Sequence, residues 1–174
     1  MNLLETLQNR RSVRKYTEAP IAKETLTAVL QAGLLSPSSR GNRPWELIVV
    51  EDKELLAKMA DCRVGSARML TGAQAAVVVV ADETVSDVWV EDCSIVMSNM
   101  HLMADSLGLG SCWIQGRLRN APQGEPTEVY LRNLLGFPEN YRLEAVLSLG
   151  MPQSHPEKQE LSSLPLYKIH WGKF

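Results

Sequence analysis

The sequence contains few cysteines, and their spacing forms no recognisable pattern. Cys62, Cys93 and Cys112 are the three cysteines among 174 residues, and no two of them form a CxxC pair. An odd number without such spacing argues against a disulfide framework and against a zinc or iron–sulfur site. The three histidines also lack the spacing of metal ligands. We therefore expect no bound metal, and reduced thiols favour a cytoplasmic location.

Long hydrophobic runs and an excess of positive charge are absent as well. The longest apolar run covers residues 75–81, whereas a membrane-spanning helix needs about 20 such residues. The first residues lack a long apolar core followed by a small-residue cleavage site, so we expect neither a membrane span nor a secretory signal. The net charge of −2 disfavours nucleic acid and anionic lipid surfaces as general partners.

The length and the hydrophobic content suit one compact domain. With 174 residues, of which 45% are hydrophobic, we expect a single domain over residues 1–174. Apolar periodicity predicts helices at residues 3–9, 20–35, 53–61, 90–107 and 128–135, and strands at residues 45–50, 75–81, 111–114 and 144–149. Because helices separate the strands without a regular βαβ rhythm, the pattern favours an α+β fold over a doubly wound one.

Two of these segments are apolar enough to be central in the fold. Residues 75–81 are apolar on both faces of the predicted strand, which indicates a central strand covered by helices. Residues 90–107 are apolar around most of the predicted helix, which is typical of a buried helix. The main stripe of that helix is predicted to contain Ile95, Val96, Met100, Met103 and Leu107.

A cluster of cations stands out in this net acidic chain. The stretch RRSVRKY begins at Arg10 and places four cations within six positions. The cluster is either a solvated, charged helix end or a phosphate clamp, since guanidinium groups match phosphate oxygens and the Ser12 hydroxyl adds a neutral donor. A nucleic-acid-binding module is a further alternative, which the acidic net charge disfavours.

Two other loops combine hydrogen-bond donors with glycine. These are residues 38–43 (SSRGNR) and residues 115–119 (QGRLR), each beside a predicted strand or buried helix. Glycines permit a close approach of backbone N–H groups to a ligand, and Trp45 and Trp113 bring flat apolar surface nearby. Core packing is the more frequent role of a single tryptophan. The three loops together predict one site for a polar, anionic ligand.

Four segments resemble a known family when they are taken in order. Residues 10–14 (RRSVR), residues 36–50 (SPSSRGNRPWELIVV), residues 104–117 (ADSLGLGSCWIQGR) and the tail ending KIHWGKF resemble the signature segments of the nitroreductase-like FMN flavoproteins. The resemblance implies a short member of that family, with an α+β fold in which helices wrap a mainly antiparallel sheet. It also implies a homodimer with FMN at each of two interface sites, and a C-terminal tail that reaches the partner subunit.

The resemblance assigns the cation cluster to the cofactor. Arg10 and Ser12 resemble phosphate and ribityl contacts, and Arg14 resembles the cation that faces the N1–C2=O side of the flavin ring. Arg11 belongs to the same predicted cofactor-binding segment. Lys158 or Lys168 in the tail can serve as a further phosphate contact.

The resemblance assigns the other two loops to the flavin ring. Many relatives carry Asn and Gln before the Pro-Trp pair, where this chain has Gly41 and Arg43, and Asn42 can substitute by a shift of one residue. The backbone after Trp113 is expected to meet the ring edge at N5 and O4. The expected ring contacts are Pro37, Ser38 and Ser39 from the partner subunit, Asn42, and Ile114, Gln115 and Gly116.

The implied activity is an FMN-dependent oxidoreductase. Hydride would pass from NAD(P)H through flavin N5 to a small flat acceptor such as a nitroaromatic or a quinone, in a ping-pong cycle with no catalytic side chain. The alternative is a flavin-binding or flavin-delivering protein with little turnover of its own, because the same arginines would bind FMN in both cases.

Overall fold

An antiparallel sheet forms the centre of the molecule in the computed structural model, which describes residues 2–174. Its order is β1-β2-β4-β3, and each neighbouring pair is antiparallel. The strands are β1 (Trp45–Val50), β2 (Ala75–Asp82), β3 (Gly110–Gln115) and β4 (Tyr141–Gly150). All four predicted strands are therefore confirmed, and β4 starts three residues earlier than the sequence pattern indicated.

Five α-helices lie among the described residues, at the places where periodicity predicted them. They are α1 (Leu3–Asn9), α2 (Lys23–Leu34), α3 (Lys53–Met59), α4 (Trp89–Ser106) and α5 (Thr127–Leu135). A capping box starts α1, because the Asn2 side chain accepts from the Glu5 backbone N–H while the Glu5 side chain accepts from that of Asn2. Short 3₁₀ turns occur at Ser39–Gly41, Arg68–Gly72, Leu161–Ser163 and Leu166–Lys168.

The helices cover both faces of the sheet. Val77 and Val79 of β2 pack in one apolar core with residues of α2 and α4. Val78 and Val80 point the other way, into a second core that includes residues of α3 and α5. A strand whose two faces are both buried must be apolar throughout, which explains the unbroken apolar run of β2. The predicted α+β fold with a helix-wrapped antiparallel sheet is confirmed.

Helix α4 is the buried central helix that the sequence predicted, but its apolar stripe is rotated from the predicted one. Val96 and Met100 are fully buried, as expected. Ile95 and Leu107 were expected in the same stripe, yet 38% and 43% of their surfaces are exposed. The buried positions of α4 are Asp92, Cys93, Val96, Met97, Met100, His101, Ala104 and Asp105. The rotation places one polar edge of the helix, with His101 and Asp105, inside the molecule.

The C-terminal tail, residues 153–174, is exposed along its whole length. It nevertheless carries many large apolar side chains, and Trp171 is 91% exposed. The start of the tail is fixed to the N-terminal segment, because the backbone N–H groups of Gln153 and Gln159 donate to the carbonyl groups of Lys15 and Gln8. Over residues 2–174, no helix combines the length and apolar character needed to cross a membrane.

Candidate functional site

The cation cluster lies along the edge of the sheet, where β3 begins. Ser12 forms a parallel bridge with Ser111, and the Val13 N–H donates to the Ser111 carbonyl oxygen at 2.9 Å. The Val13 side chain is buried against Gly110, where a Cβ atom would lie 2.7 Å from Val13 Cγ1. Pairing with β3 and packing of Val13 therefore hold this segment extended and fix the directions of its arginines.

The arginines of the cluster point to three different places. The Arg10 guanidinium turns toward α4, where its Nη1 atom lies 2.9 Å from His101 Nε2. Arg11 Nη1 donates to the Glu157 carbonyl oxygen in the tail at 2.5 Å. Arg14 is exposed and borders a cavity beside β3. Arg11 therefore points toward the tail, away from His101 beside Arg10 and from the cavity beside Arg14.

His101 is buried beneath Arg10 and is hydrogen-bonded at both ring nitrogens. Its Nδ1 atom lies 2.5 Å from Ser111 Oγ. An arginine side chain can only donate, so His101 Nε2 accepts from Arg10 and the ring proton on Nδ1 is donated to Ser111. Burial, reinforced by the nearby Arg10 cation, lowers the pKa of His101 from 6.5 to about 4. The imidazole is therefore neutral at pH 7.

A cavity of about 320 Å³ lies next to Arg14, and we call it the basic cavity. Two arginines and a tryptophan line it, and over the described residues its lining is free of acidic side chains. This combination suits a flat, anionic ligand. The lining residues are Arg14, Arg63, Gly65, Ser66, Met69, Cys112 and Trp113.

Sequence reasoning missed Arg63 and Ser66, although a signal for them exists. Residues 63–66 read RVGS, which is the combination of arginine, glycine and serine also found in residues 38–43. They follow α3 directly and lie far from Arg14 in the chain, so only the fold brings them beside it.

Burial also changes the chemistry of Cys112 in this lining. It raises the pKa of the thiol despite the neighbouring Arg14 and Arg10 cations, so Cys112 behaves as a small apolar residue.

The end of β3 places the predicted ring-contact residues with little freedom. Ile114 is buried in the core, so its side chain is not available to a ligand. Gln115 Oε1 accepts from Trp113 Nε1 at 2.9 Å. The Gly116 N–H already donates to the Glu144 carbonyl oxygen at 3.2 Å, and a Cβ atom there would lie 2.5 Å from Leu143 Cδ2. Packing against β4 therefore requires the glycine.

Gly116 also borders a second cavity, of about 350 Å³. Arg117 stacks over the Trp89 ring there, with 5.8 Å between the guanidinium carbon and the ring centroid. On another wall, Arg142 forms ion pairs with Glu83 and Glu128. The acidic groups make this cavity less suited to an anion than the basic cavity.

A buried carboxyl group, that of Glu144, lies on β4, where the Glu144 carbonyl oxygen accepts from the Gly116 N–H, and it was not predicted. The register between β2 and β4 shifts so that Val79 pairs with Ala145 and Val80 with Leu143, leaving Glu144 in a bulge. Burial raises the pKa of its carboxyl group, and its Oε2 atom has no hydrogen-bond partner among the described residues. Bulges often redirect a side chain near functional sites.

The loop with Pro37, Ser38 and Ser39 lies at the start of α4. The Ser39 N–H donates to Asp92 Oδ1 at 2.8 Å, and Ser38 Oγ accepts from the Arg43 N–H at 2.9 Å. Asn42 Nδ2 donates to the Val85 carbonyl oxygen at 3.0 Å.

Pro37 itself is exposed. Asp92 precedes His101 by nine residues, about 13 Å along the helix. Ser39 therefore lies far from His101 along α4, whereas Ser36, just before Pro37, accepts from the side chain of Asn99, two residues before His101.

Comparison with known proteins gives consistent relatives over most of the chain. A family model described as "Nitroreductase family" matches residues 7–67 and 62–151. An FMN-dependent nitroreductase from Clostridium difficile R20291 has a similar structure, with a TM-score of 0.95, 41% sequence identity, and coverage of 98% of this chain and 99% of that one.

Two relatives by sequence agree with this. A protein of Archaeoglobus fulgidus, provisionally named NADH dehydrogenase/NAD(P)H nitroreductase, is 40% identical over 161 residues, covering 90% of this chain and 89% of that protein. An NADPH-flavin oxidoreductase from Vibrio harveyi is 30% identical over 170 residues, covering 90% of this chain and 68% of that protein.

Proposed function

The chain belongs to the nitroreductase family, and we propose that it is an FMN-dependent NAD(P)H oxidoreductase that reduces a small flat acceptor such as a nitroaromatic or a quinone. The observation that carries this proposal is the basic cavity, which joins two guanidinium groups to the Trp113 ring beside the Arg10 segment. The likeness to an FMN-dependent nitroreductase over nearly the whole chain supports the same cofactor.

The residues around β3 fit the two charged ends of FMN. We assign Arg10 and Ser12 to the phosphate and ribityl chain, and Arg14 with Arg63 to the pyrimidine side of the ring. When bound, FMN accepts a hydride from the nicotinamide and passes it to the acceptor. The two cavity arginines would stabilise the negative charge of the reduced cofactor by their own positive charge.

The remaining work of the protein is alignment and exclusion of water. The thiol of Cys112 is kept protonated by burial, and a direct hydride transfer needs no side chain to move a proton. Trp113, partly buried and held by Gln115, offers a flat wall that restricts the orientation of the ring. If the two substrates bound at this site in turn, the reaction would follow a ping-pong cycle.

A second copy of the chain would complete the site. We propose that the partner's loop supplies Pro37, Ser38 and Ser39, as the resemblance implies, since within one chain Ser39 is held by Asp92, about 13 Å along α4 from His101. The exposed apolar tail would cover the partner subunit, since a surface with Trp171 91% exposed gains stability by burial. In that arrangement Lys158 and Lys168, both exposed, are available to a phosphate.

Anaerobic stopped-flow reduction tests the proposed activity. The protein loaded with FMN is mixed with NADH or NADPH, and flavin absorbance is followed beside free FMN at the same concentration. The proposal predicts reduction of the bound cofactor at least about a hundredfold faster than that of free FMN, within the range of enzymatic acceleration. Reduction no faster than that of free FMN would instead identify a flavin-binding or flavin-delivering protein.

A further inference from the structure

We infer that His101 is a positioning residue, which holds the Arg10 guanidinium in place for the phosphate of the cofactor. The inference rests on the proposed function, because Arg10 acquires a phosphate only if the chain binds FMN. His101 itself does not touch the cofactor in this account. It acts through Arg10, and Ser111 in turn fixes the orientation of the imidazole ring.

The contacts define a short relay from the sheet to the cation. Ser111 lies on β3 and is 2% exposed, and His101 on α4 is 6% exposed. The imidazole spans the two, with 2.5 Å from Nδ1 to Ser111 Oγ and 2.9 Å from Nε2 to Arg10 Nη1. Both anchors belong to regular elements in the core, so the ring and the guanidinium that it holds have little freedom to rotate.

The direction of these hydrogen bonds leaves Arg10 able to bind an anion. One Nη1–H of the guanidinium is used by His101, and the remaining N–H groups stay available for phosphate oxygens. Over residues 2–174, Arg10 forms no ion pair with a carboxylate. A neutral acceptor therefore orients the cation without cancelling its charge.

The chemistry of the acceptor is what makes histidine suitable at this place. A glutamate at position 101 would also accept from Arg10, but its negative charge would compete with the phosphate. A leucine would fill the space and leave the guanidinium unheld. Glutamine keeps a neutral acceptor at a similar reach. These three substitutions separate orientation of Arg10 from neutralisation of its charge.

The experiment compares binding of FMN with binding of riboflavin, which lacks the phosphate. Dissociation constants are measured by quenching of flavin fluorescence for the unmodified protein, His101→Leu, His101→Gln and His101→Glu. The quantity of interest is the ratio of the riboflavin constant to the FMN constant. His155→Gln is the matched control, because His155 contacts Asp105 on the same helix but does not contact Arg10.

The inference predicts a loss of phosphate discrimination in two of the variants. The ratio falls about tenfold in His101→Leu and in His101→Glu, remains within about twofold in His101→Gln and in the control, and riboflavin affinity stays unchanged throughout. In an Arg10→Ala background, His101→Leu has no additional effect.

Other outcomes would overturn the inference. Equal weakening of FMN and riboflavin in His101→Leu would show a structural role, and an unchanged ratio would show no role. A ratio near one in the unmodified protein would show that the phosphate adds nothing to binding, so Arg10 would not contact it. The proposed oxidoreductase activity would be unaffected by that result. Failure of the proposed function is a separate result, because it would appear as absent reduction of bound FMN by NAD(P)H.

Discussion

Acidification from pH 7 to pH 5 should destabilise the folded chain more than it destabilises a His101→Gln variant. The pKa of His101 is about 4 in the folded chain, against an ordinary value of 6.5. Burial is the larger cause and the Arg10 cation the second, while Asp105 on the same helix opposes them. The unfolded chain therefore binds a proton near pH 6.5 that the folded chain refuses until about pH 4.

The sign and the size of the effect follow from this difference in proton binding. Because the unfolded state takes up the proton first, the free energy of unfolding falls as pH falls from about 6.5 to 4. Over the whole range, this pKa difference lowers the free energy of unfolding by about 3 kcal/mol, and about 2 kcal/mol of that loss should occur between pH 7 and pH 5. A glutamine at position 101 binds no proton, so the variant does not lose this stability.

Urea unfolding of the two proteins without FMN, at the same protein concentration and at both pH values, gives the required comparison. Other groups that titrate in this range affect both proteins alike, so the difference of differences isolates His101. A value of about 2 kcal/mol is expected. A value near zero would show that the folded chain does not lower the pKa of His101, which would contradict the burial of the imidazole beneath the Arg10 cation.

Three further predictions concern the site and its assembly. Arg14→Ala and Arg63→Ala should each weaken FMN binding by about 1–3 kcal/mol and lower the reduction potential of bound FMN. The control Arg68→Ala, at an exposed arginine, should change neither quantity. Equal effects of all three substitutions would contradict a site in the basic cavity. Gly110→Ala should displace the cation cluster, since the new Cβ would lie 2.7 Å from Val13 Cγ1. The variant should therefore bind FMN more weakly and have a lower melting temperature. Gly72→Ala, with no described atom within 4 Å of its Cβ, should leave FMN binding and melting temperature unchanged. Removal of residues 160–174 should convert a dimer into a monomer, as measured by light scattering, and should weaken FMN binding, as measured by fluorescence. A truncated chain that still has the mass of a dimer would refute the role of the tail.

The sequence predicted the elements well where one physical rule dominated. The seven apolar residues of β2 allow only a strand that is covered on both faces, and the Asn2 and Glu5 pair marked the start of α1. The stripe of α4 was harder, because most of its circumference is apolar and periodicity alone cannot select a face. The buried His101 and Asp105 decide the rotation, and their partners lie on other segments.

The proposed site uses segments that the sequence singled out, but the contacts between those segments were not predicted. The positive charges marked the Arg10 segment, donors with glycines marked residues 38–43 and residues 115–119, and the resemblance added Pro37. The pairing of Ser12 with Ser111, which turns Arg10 toward His101, depends on contacts about 90 to 100 residues apart in the chain. Arg63 reaches Arg14 in the same way, through packing that local patterns do not report.

A crystal structure of the chain with FMN tests the central claim most directly. The account predicts the phosphate within hydrogen-bond distance of Arg10 and Ser12, the ring in the basic cavity beside Trp113, and Pro37, Ser38 and Ser39 supplied by a second copy. FMN bound in the cavity of Arg117 and Arg142, or held by one chain with Arg10 and Arg14 both free of it, would contradict the account.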